Sequence, residues 1–184
     1  MAARRAPLPL DDHSLGELAL RYAGRFATTR GKLRAYLKRK IRERGWAGER
    51  PAELEAIANR FAELGYVDDR SYALAKSRAL TGRGYGKRRV VDALRVAGVD
   101  ESDGESARDH ADAEAVAAAL RFAQRRRIGP YATTVGGDPK EKEKAFAAMV
   151  RAGHGFGLAR AILNLAPGAE ADADELAEFT SAHR

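Results

Sequence analysis

The sequence predicts an all-α protein made of tandem three-helix repeats that form an elongated, curved array. Three observations carry this expectation. Hydrophobic residues make up 45% of the 184 positions and aromatics only 7%. A core of that composition rests mainly on Ala, Leu, Val and Ile, which favours helices, since Ala and Leu are strong helix formers. Apolar residues recur at helical spacing from Ser14 to Leu165 with no alternating strand pattern. Thr29, Leu33 and Leu37 resemble Gly86, Val90 and Leu94, and both sets resemble Glu141, Ala145 and Met149. That spacing of roughly 55 residues lies near the range of helical arrays, whose units are too small to bury a core alone and therefore stack.

The elements follow in order. Ser14 with Glu17 reads as a capping box ahead of Leu15, Leu18, Ala19, Tyr22 and Phe26. Thr28 or Thr29 can cap a second helix with Leu33, Tyr36, Leu37 and Ile41 inward. Pro51 suits a first helical position, before Leu54, Ile57, Ala58, Phe61 and Leu64. Asp68 or Asp69 caps a helix carrying Tyr72, Ala75 and Ala79. Val90, Val91, Leu94 and Ala97 make the next stripe, which Gly98 ends. A polar stretch, DESDGESARDH, reads as a short helix or linker before Ala113, Val116, Ala117 and Leu120. The stretch RIGPYATTVGGD is the clearest long loop. Asp138, Pro139 and Glu141 then supply a cap, a first-turn proline and an acid in register, with Ala145, Phe146, Met149 and Val150 inward. Leu158, Ala161, Ile162 and Leu165 close the fold. The expected boundaries are a flexible N-terminus over 1–13, repeats over 14–66, 67–109 and 110–166, and an acidic, fraying tail over 167–184.

Composition narrows the function. Cysteine is absent, which removes disulfides, Cys-based zinc sites and thiol nucleophiles. No apolar run has the length of a signal peptide or membrane span, so a soluble cytoplasmic protein with no membrane role is expected. The formal charge of +7 points to an acidic partner. His13, His110, His154 and His183 show no metal-ligand spacing, and no GxSxG elbow is present, so neither catalysis nor a metal or other cofactor is expected.

The stretch TGRGYGKRR, Thr81 to Arg89, invites a phosphate-loop reading. It fails as Walker A, because Arg88 follows Lys87 where Ser or Thr must ligate magnesium, and a helix precedes it. It fails GxGxxG because Lys87 replaces the third glycine. Gly82 and Gly84 instead end one helix, and Gly86 opens the next. Arg83, Lys87, Arg88 and Arg89 then crowd a helix N-terminus whose dipole favours anions, so an acidic partner would relieve the conflict. A second basic face, Lys32, Arg34, Lys38, Arg39 and Arg42, has Glu43 nearly alone against it. Arg125 to Arg127 can extend the stripe. Tyr36 and Tyr85 lie near basic residues but are too few for a stacking platform.

The segment GYVDDRSYALAKSRALTGRGYGKRRVVDALRVAGV, Gly65 to Val99, resembles the RecX family of recombination regulators. The matching elements are Gly65, Tyr66, Val67, Asp68 and Asp69, then Tyr72, then Gly86, Arg89, Val90, Leu94 and Gly98. Arg25, Thr28 or Thr29, Leu33 and Leu37 fit the first unit and RIGP precedes the third, so the resemblance covers about Leu15 to Leu165. In the third unit the family usually has Arg-x-Gly-Phe-Ser. Here stand Arg151, Ala152, Gly153, His154 and Gly155, with Phe156 two places late, and a looser last helix is expected.

The resemblance implies tandem three-helix repeats and no enzyme activity. It implies binding in the groove of the RecA filament on DNA, restraining filament growth, strand exchange, ATP hydrolysis and co-protease activity. A DNA-repair and SOS-response role follows from it. The expected partners are the RecA filament and, weakly and without sequence preference, single- or double-stranded DNA, with the chain acting as a monomer. The alternative is a stand-alone helix-turn-helix DNA reader that needs no RecA. Against it, only Asn59, Gln124 and Asn164 supply amide side chains, and the charge is spread rather than confined to one helix, which favours backbone contact. A scaffold without any DNA role is a third reading.

Overall fold

The structure is a computed structural model and describes residues 8–133 and 138–181. Among these residues the chain forms ten α-helices, one 3₁₀ turn and no strand, with a single isolated bridge between Leu10 and Trp46. The helices are α1 (Asp12–Ala23), α2 (Arg30–Arg44), α3 (Leu54–Glu63), α4 (Asp69–Gly82) and α5 (Lys87–Val96). They continue as α6 (Glu105–Ala113), α7 (Ala115–Arg126), α8 (Pro139–Arg151), α9 (Phe156–Asn164) and α10 (Ala173–Ser181). The chain divides into two compact units. The first joins Met1–Tyr72 to Val96–Asp103, and the second joins Ala73–Arg95 to Gly104–Arg184.

The first unit is organised around the N-terminus of α2. Its core holds Leu10, Leu15, Ala19, Leu33, Leu37, Ala58 and Val67. Thr29 caps α2 by accepting from the Lys32 amide at 3.0 Å, and its hydroxyl donates to the Ala97 carbonyl. Arg30 follows. Its amide donates to Asp69 Oδ1 at 2.9 Å, and its guanidinium reaches Asp69 at 3.3 Å, Asp100 at 3.0 Å and Asp103 at 2.7 Å. The Asp69 side chain is only 3% exposed. Gly31 meets Gly98 backbone to backbone: a Cβ on Gly31 would lie 2.7 Å from the Gly98 Cα. Gly98 has φ +66, a conformation that a side chain would strain.

The second unit repeats this contact. Its core gathers Ala119, Phe122, Ala123, Met149, Ala152, Leu158, Ala159, Ile162 and Leu176. Gly86, just before α5, donates its amide to the Ala152 carbonyl at 3.0 Å, and the Arg88 amide donates to Gly153 at 3.2 Å. A Cβ on Gly86 would sit 2.3 Å from the Gly153 oxygen. His154 is 2% exposed and lies edge-on to Phe122 at 5.5 Å. Its Nε2–H donates to the Gly84 carbonyl at 3.1 Å. Burial pushes its pKa down to about 4, against the opposing pull of that hydrogen bond.

Several expectations need correction. The first cap is Asp11, which exchanges hydrogen bonds with Ser14; Ser14 is the third helical residue rather than the cap. Pro51 precedes α3, whose first residue is Leu54. Ala75 and Ala79 are exposed; α4 buries Ala73, Ser77, Leu80 and Thr81 instead, with the Ser77 hydroxyl donating to the Ala107 carbonyl at 2.8 Å. Val91 and Ala113 are exposed, and α7 buries Ala118, Ala119, Phe122 and Ala123. Ahead of α9 the His154 ring fills a buried site, and Gly155 caps that helix without a side-chain hydrogen bond. Beyond Pro167, α10 forms and places Leu176 in the core. Of the expected flexible N-terminus, residues 1–7 lie outside the described residues, as do 134–137 of the loop and 182–184 of the tail.

Two stability predictions follow. Arg30→Met leaves Asp69 charged and buried without its guanidinium, which should cost about 3–5 kcal/mol in urea unfolding. Adding Asp69→Leu should recover part of that loss, because no buried charge is then left uncompensated. His154 is held neutral, so its contribution is whole above the ordinary value of 6.5. It should be lost as pH falls from there to about 4, where the folded protein also takes up the proton. Unfolding midpoints measured against pH should show this slope, and His154→Phe should flatten it.

Candidate nucleic-acid interface

The basic face of α2 is largely engaged within the chain. Lys32 Nζ donates to the Tyr72 hydroxyl at 2.6 Å and sits 4.7 Å from that ring's centre. Arg34 pairs with Glu55. Arg39 lies 3.5 Å from Glu43 and 5.6 Å from the Tyr36 ring centre. Lys40 shares Glu43 at 2.6 Å, and these cations hold the Glu43 carboxyl below the usual range, the Lys40 hydrogen bond most of all. Lys38 and Arg42 are exposed and have no carboxylate within ion-pair distance among the described residues.

The four basic residues around the glycine cluster do not share one face. Arg83 and Arg89 flank Tyr85, with guanidinium carbons 5.7 and 6.0 Å from its ring centre. Arg125 joins them by donating to the Arg83 carbonyl. Tyr85 packs its inner side on the core, so two exposed guanidiniums stand on a fixed aromatic base. Lys87 turns elsewhere and pairs with Asp112. Arg88 lies 5.1 Å from the Phe156 ring centre. At the helix N-terminus the Gly153 carbonyl already takes the Arg88 amide. The expected conflict between cations and dipole is thus relieved inside the chain by a carbonyl, a carboxylate and two rings.

The motif residues split between capping and junction roles. Gly65 ends the turn after α3 at φ +75, and Tyr66 is half exposed against Phe61 at 5.5 Å. Asp68 caps α4 through the Ser71 amide at 2.8 Å, and hydrogen bonds from Ser71 hold its carboxyl below the usual range. Asp69, Tyr72 and Gly98 converge on Arg30, Lys32 and Gly31 respectively. Gly86 meets Gly153, and Leu94 is buried. The sequence reading missed Arg30. Its one local signal was a cation at the first helical position, where the helix dipole disfavours it. The reading also missed Phe156 and Phe146, which lie 5.9 Å apart between Arg88 and Arg160.

Among the described residues no group of three or more His, Cys, Asp or Glu is placed to hold a metal ion. No described helix is long and apolar enough to cross a membrane.

No family model matches the chain. Individual relatives do. The chain is 29% identical over 171 residues to the regulatory protein RecX of Myxococcus xanthus, covering 89% of this chain and 91% of that protein. It is 39% identical over 109 residues to the regulatory protein RecX of Thermus thermophilus, covering 58% of this chain and 72% of that one. The fold is similar to the crystal structure of RecX from Lactobacillus salivarius, with a TM-score of 0.57 at 17% identity over 82% of this chain and 92% of that one. A second RecX crystal structure gives 0.55 at 19% identity, over 78% and 67%. The level and extent of this likeness, joined to the motif from Gly65 to Gly98, place the chain in the RecX family of regulatory proteins.

Proposed function

We propose that this chain binds the RecA filament on DNA and restrains strand exchange, ATP hydrolysis and co-protease activity, without catalysis of its own. The observation that carries the reading is the exposed pair Arg83 and Arg89 on Tyr85, in a chain of the RecX family. Neither arginine is spent on a carboxylate among the described residues, so both are free to meet acidic protein groups or phosphates. Contact with DNA in this reading is made to the backbone, weakly and without sequence preference. A helix-turn-helix reader gains no support. Such a protein puts the N-terminal residues of its recognition helix against base edges. Here the amides of Gly86 and Arg88 at the start of α5 are taken by the Ala152 and Gly153 carbonyls, and the Lys87 and Arg88 side chains turn to Asp112 and Phe156.

The test compares wild type with Arg83→Gln/Arg89→Gln. The double variant should keep its helicity and inhibit RecA strand exchange more weakly. Removing two phosphate contacts should lower the log–log salt slope of DNA binding by about 2. Leu94→Asp serves as the scaffold control: a buried, unpaired carboxylate should unfold the protein and abolish inhibition. Unchanged inhibition by the folded double variant would move the working surface to Lys38, Arg39 and Arg42. A wild-type protein that leaves RecA filaments unaltered would overturn the function itself.

A further inference from the structure

Three aromatic rings adjoin one another in the first unit, two of them stacked between α1 and α2 and the third, Phe26, tilted against the pair from the connection that follows α1. Tyr22 and Tyr36 lie face to face, with centroids 4.1 Å apart and planes 11° apart, and Phe26 leans on Tyr22 at 5.5 Å. Cations stand at both ends. Arg25 is 5.9 Å from the Phe26 ring centre, and Arg39 and Lys40 are 5.6 and 5.9 Å from that of Tyr36. The two tyrosines also seal the rim of the core, which accounts for them structurally. Phe26 is not accounted for that way. It is 53% exposed, a large ring left in water beside an exposed arginine. The nearby acids are few: Glu43 serves Arg39 and Lys40, and Glu17 serves Arg21. Arg25 has no carboxylate within ion-pair distance among the described residues.

We propose that this ring ladder is a binding site for single-stranded nucleic acid. An unpaired base stacks on the exposed Phe26 ring, and the adjoining phosphates meet Arg25 and Arg39. Ring faces bordered by cations suit this ligand because every base offers a π-face and every linkage a negative charge. A duplex keeps its bases inside its own stack and offers the ladder only its backbone. An acidic peptide would satisfy the cations and leave the rings unused. The inference deepens the nucleic-acid part of the function proposed above, and it concerns the first unit rather than the arginines around Tyr85.

The test measures fluorescence anisotropy of labelled oligonucleotides with the full chain and no RecA, so its failure leaves the RecA reading standing. The probes are an oligothymidine, an abasic strand of equal length and a duplex. The oligothymidine should bind tighter than either of the others. Phe26→Ala should weaken oligothymidine binding at least about fivefold, the smaller end of what one lost stacking ring removes. It should leave abasic binding unchanged, and Phe26→Trp should restore the wild-type preference. Should Phe26→Ala lose helicity, Phe26→Leu keeps an apolar contact with Tyr22 without a ring face, and the same comparison decides. Equal wild-type binding to the thymidine and abasic strands, or a folded Phe26 variant that binds oligothymidine as wild type does, would overturn the proposal.

Discussion

Four consecutive residues, Thr29 to Lys32, fix the first unit, and each does so through a different kind of contact. Thr29 joins the Ala97 carbonyl, Arg30 gathers Asp69, Asp100 and Asp103, Gly31 touches Gly98, and Lys32 holds Tyr72. The glycine contact governs the other three. Only two backbones without side chains can approach this closely, and only that approach brings the Ala97 carbonyl to the Thr29 hydroxyl. A cation at the first helical position is disfavoured by the helix dipole, by about 0.3–1 kcal/mol at an exposed site. Three carboxylates outweigh so small a penalty, and one of them is almost wholly removed from water.

The second unit meets the same constraint with different chemistry. Gly31 and Gly86 stand 55 positions apart, as do Gly98 and Gly153. The two junctions are not identical residue for residue: Gly31 is the second residue of α2, whereas Gly86 immediately precedes α5. Where the first junction uses a threonine cap and an arginine among carboxylates, the second uses backbone amides of Gly86 and Arg88 on the Ala152 and Gly153 carbonyls. His154 then anchors the chain beyond the glycine by reaching back to Gly84. Capping with main-chain groups leaves the side chains at the start of α5 free to spread to Asp112, Phe156 and Tyr85.

What the sequence disclosed was mostly local. Helical spacing and strong caps depend on residues within one turn; Asp138 caps where expected, and of the two candidates Thr28 and Thr29 it is Thr29 that caps. The first cap was placed on Ser14 because Ser14 with Glu17 fits a capping pattern, whereas in the fold Asp11 accepts from the Ser14 amide and caps the helix. The inward face of α4 was misread because Ser77 is polar. Its hydroxyl is satisfied by the Ala107 carbonyl 30 residues on, and hydrophobic periodicity does not register a polar residue buried that way. Arg30 escaped notice because its partners lie 39 to 73 positions away. The ring ladder escaped for the same reason: Tyr22 and Tyr36 belong to different helices, and their stacking exists only once α1 and α2 have packed. The basic runs were visible as charge, but how much of that charge the fold spends internally was not.

The split composition of the first unit also sets an order of events during synthesis. The unit takes its last piece from Val96–Asp103, after the chain has passed through residues that belong elsewhere. Thr29 and Arg30 therefore leave the ribosome long before Ala97, Asp100 and Asp103 exist. At about 5–20 residues per second, that delay of some 70 residues lasts roughly 4–14 s. Over that interval α2 begins with a cation at its positive pole, relieved at most by Asp69, and Gly31 faces open solvent. The nascent first unit is thus a waiting partner, and translation of its distant segment, rather than its own helix formation, times the closing of its structure.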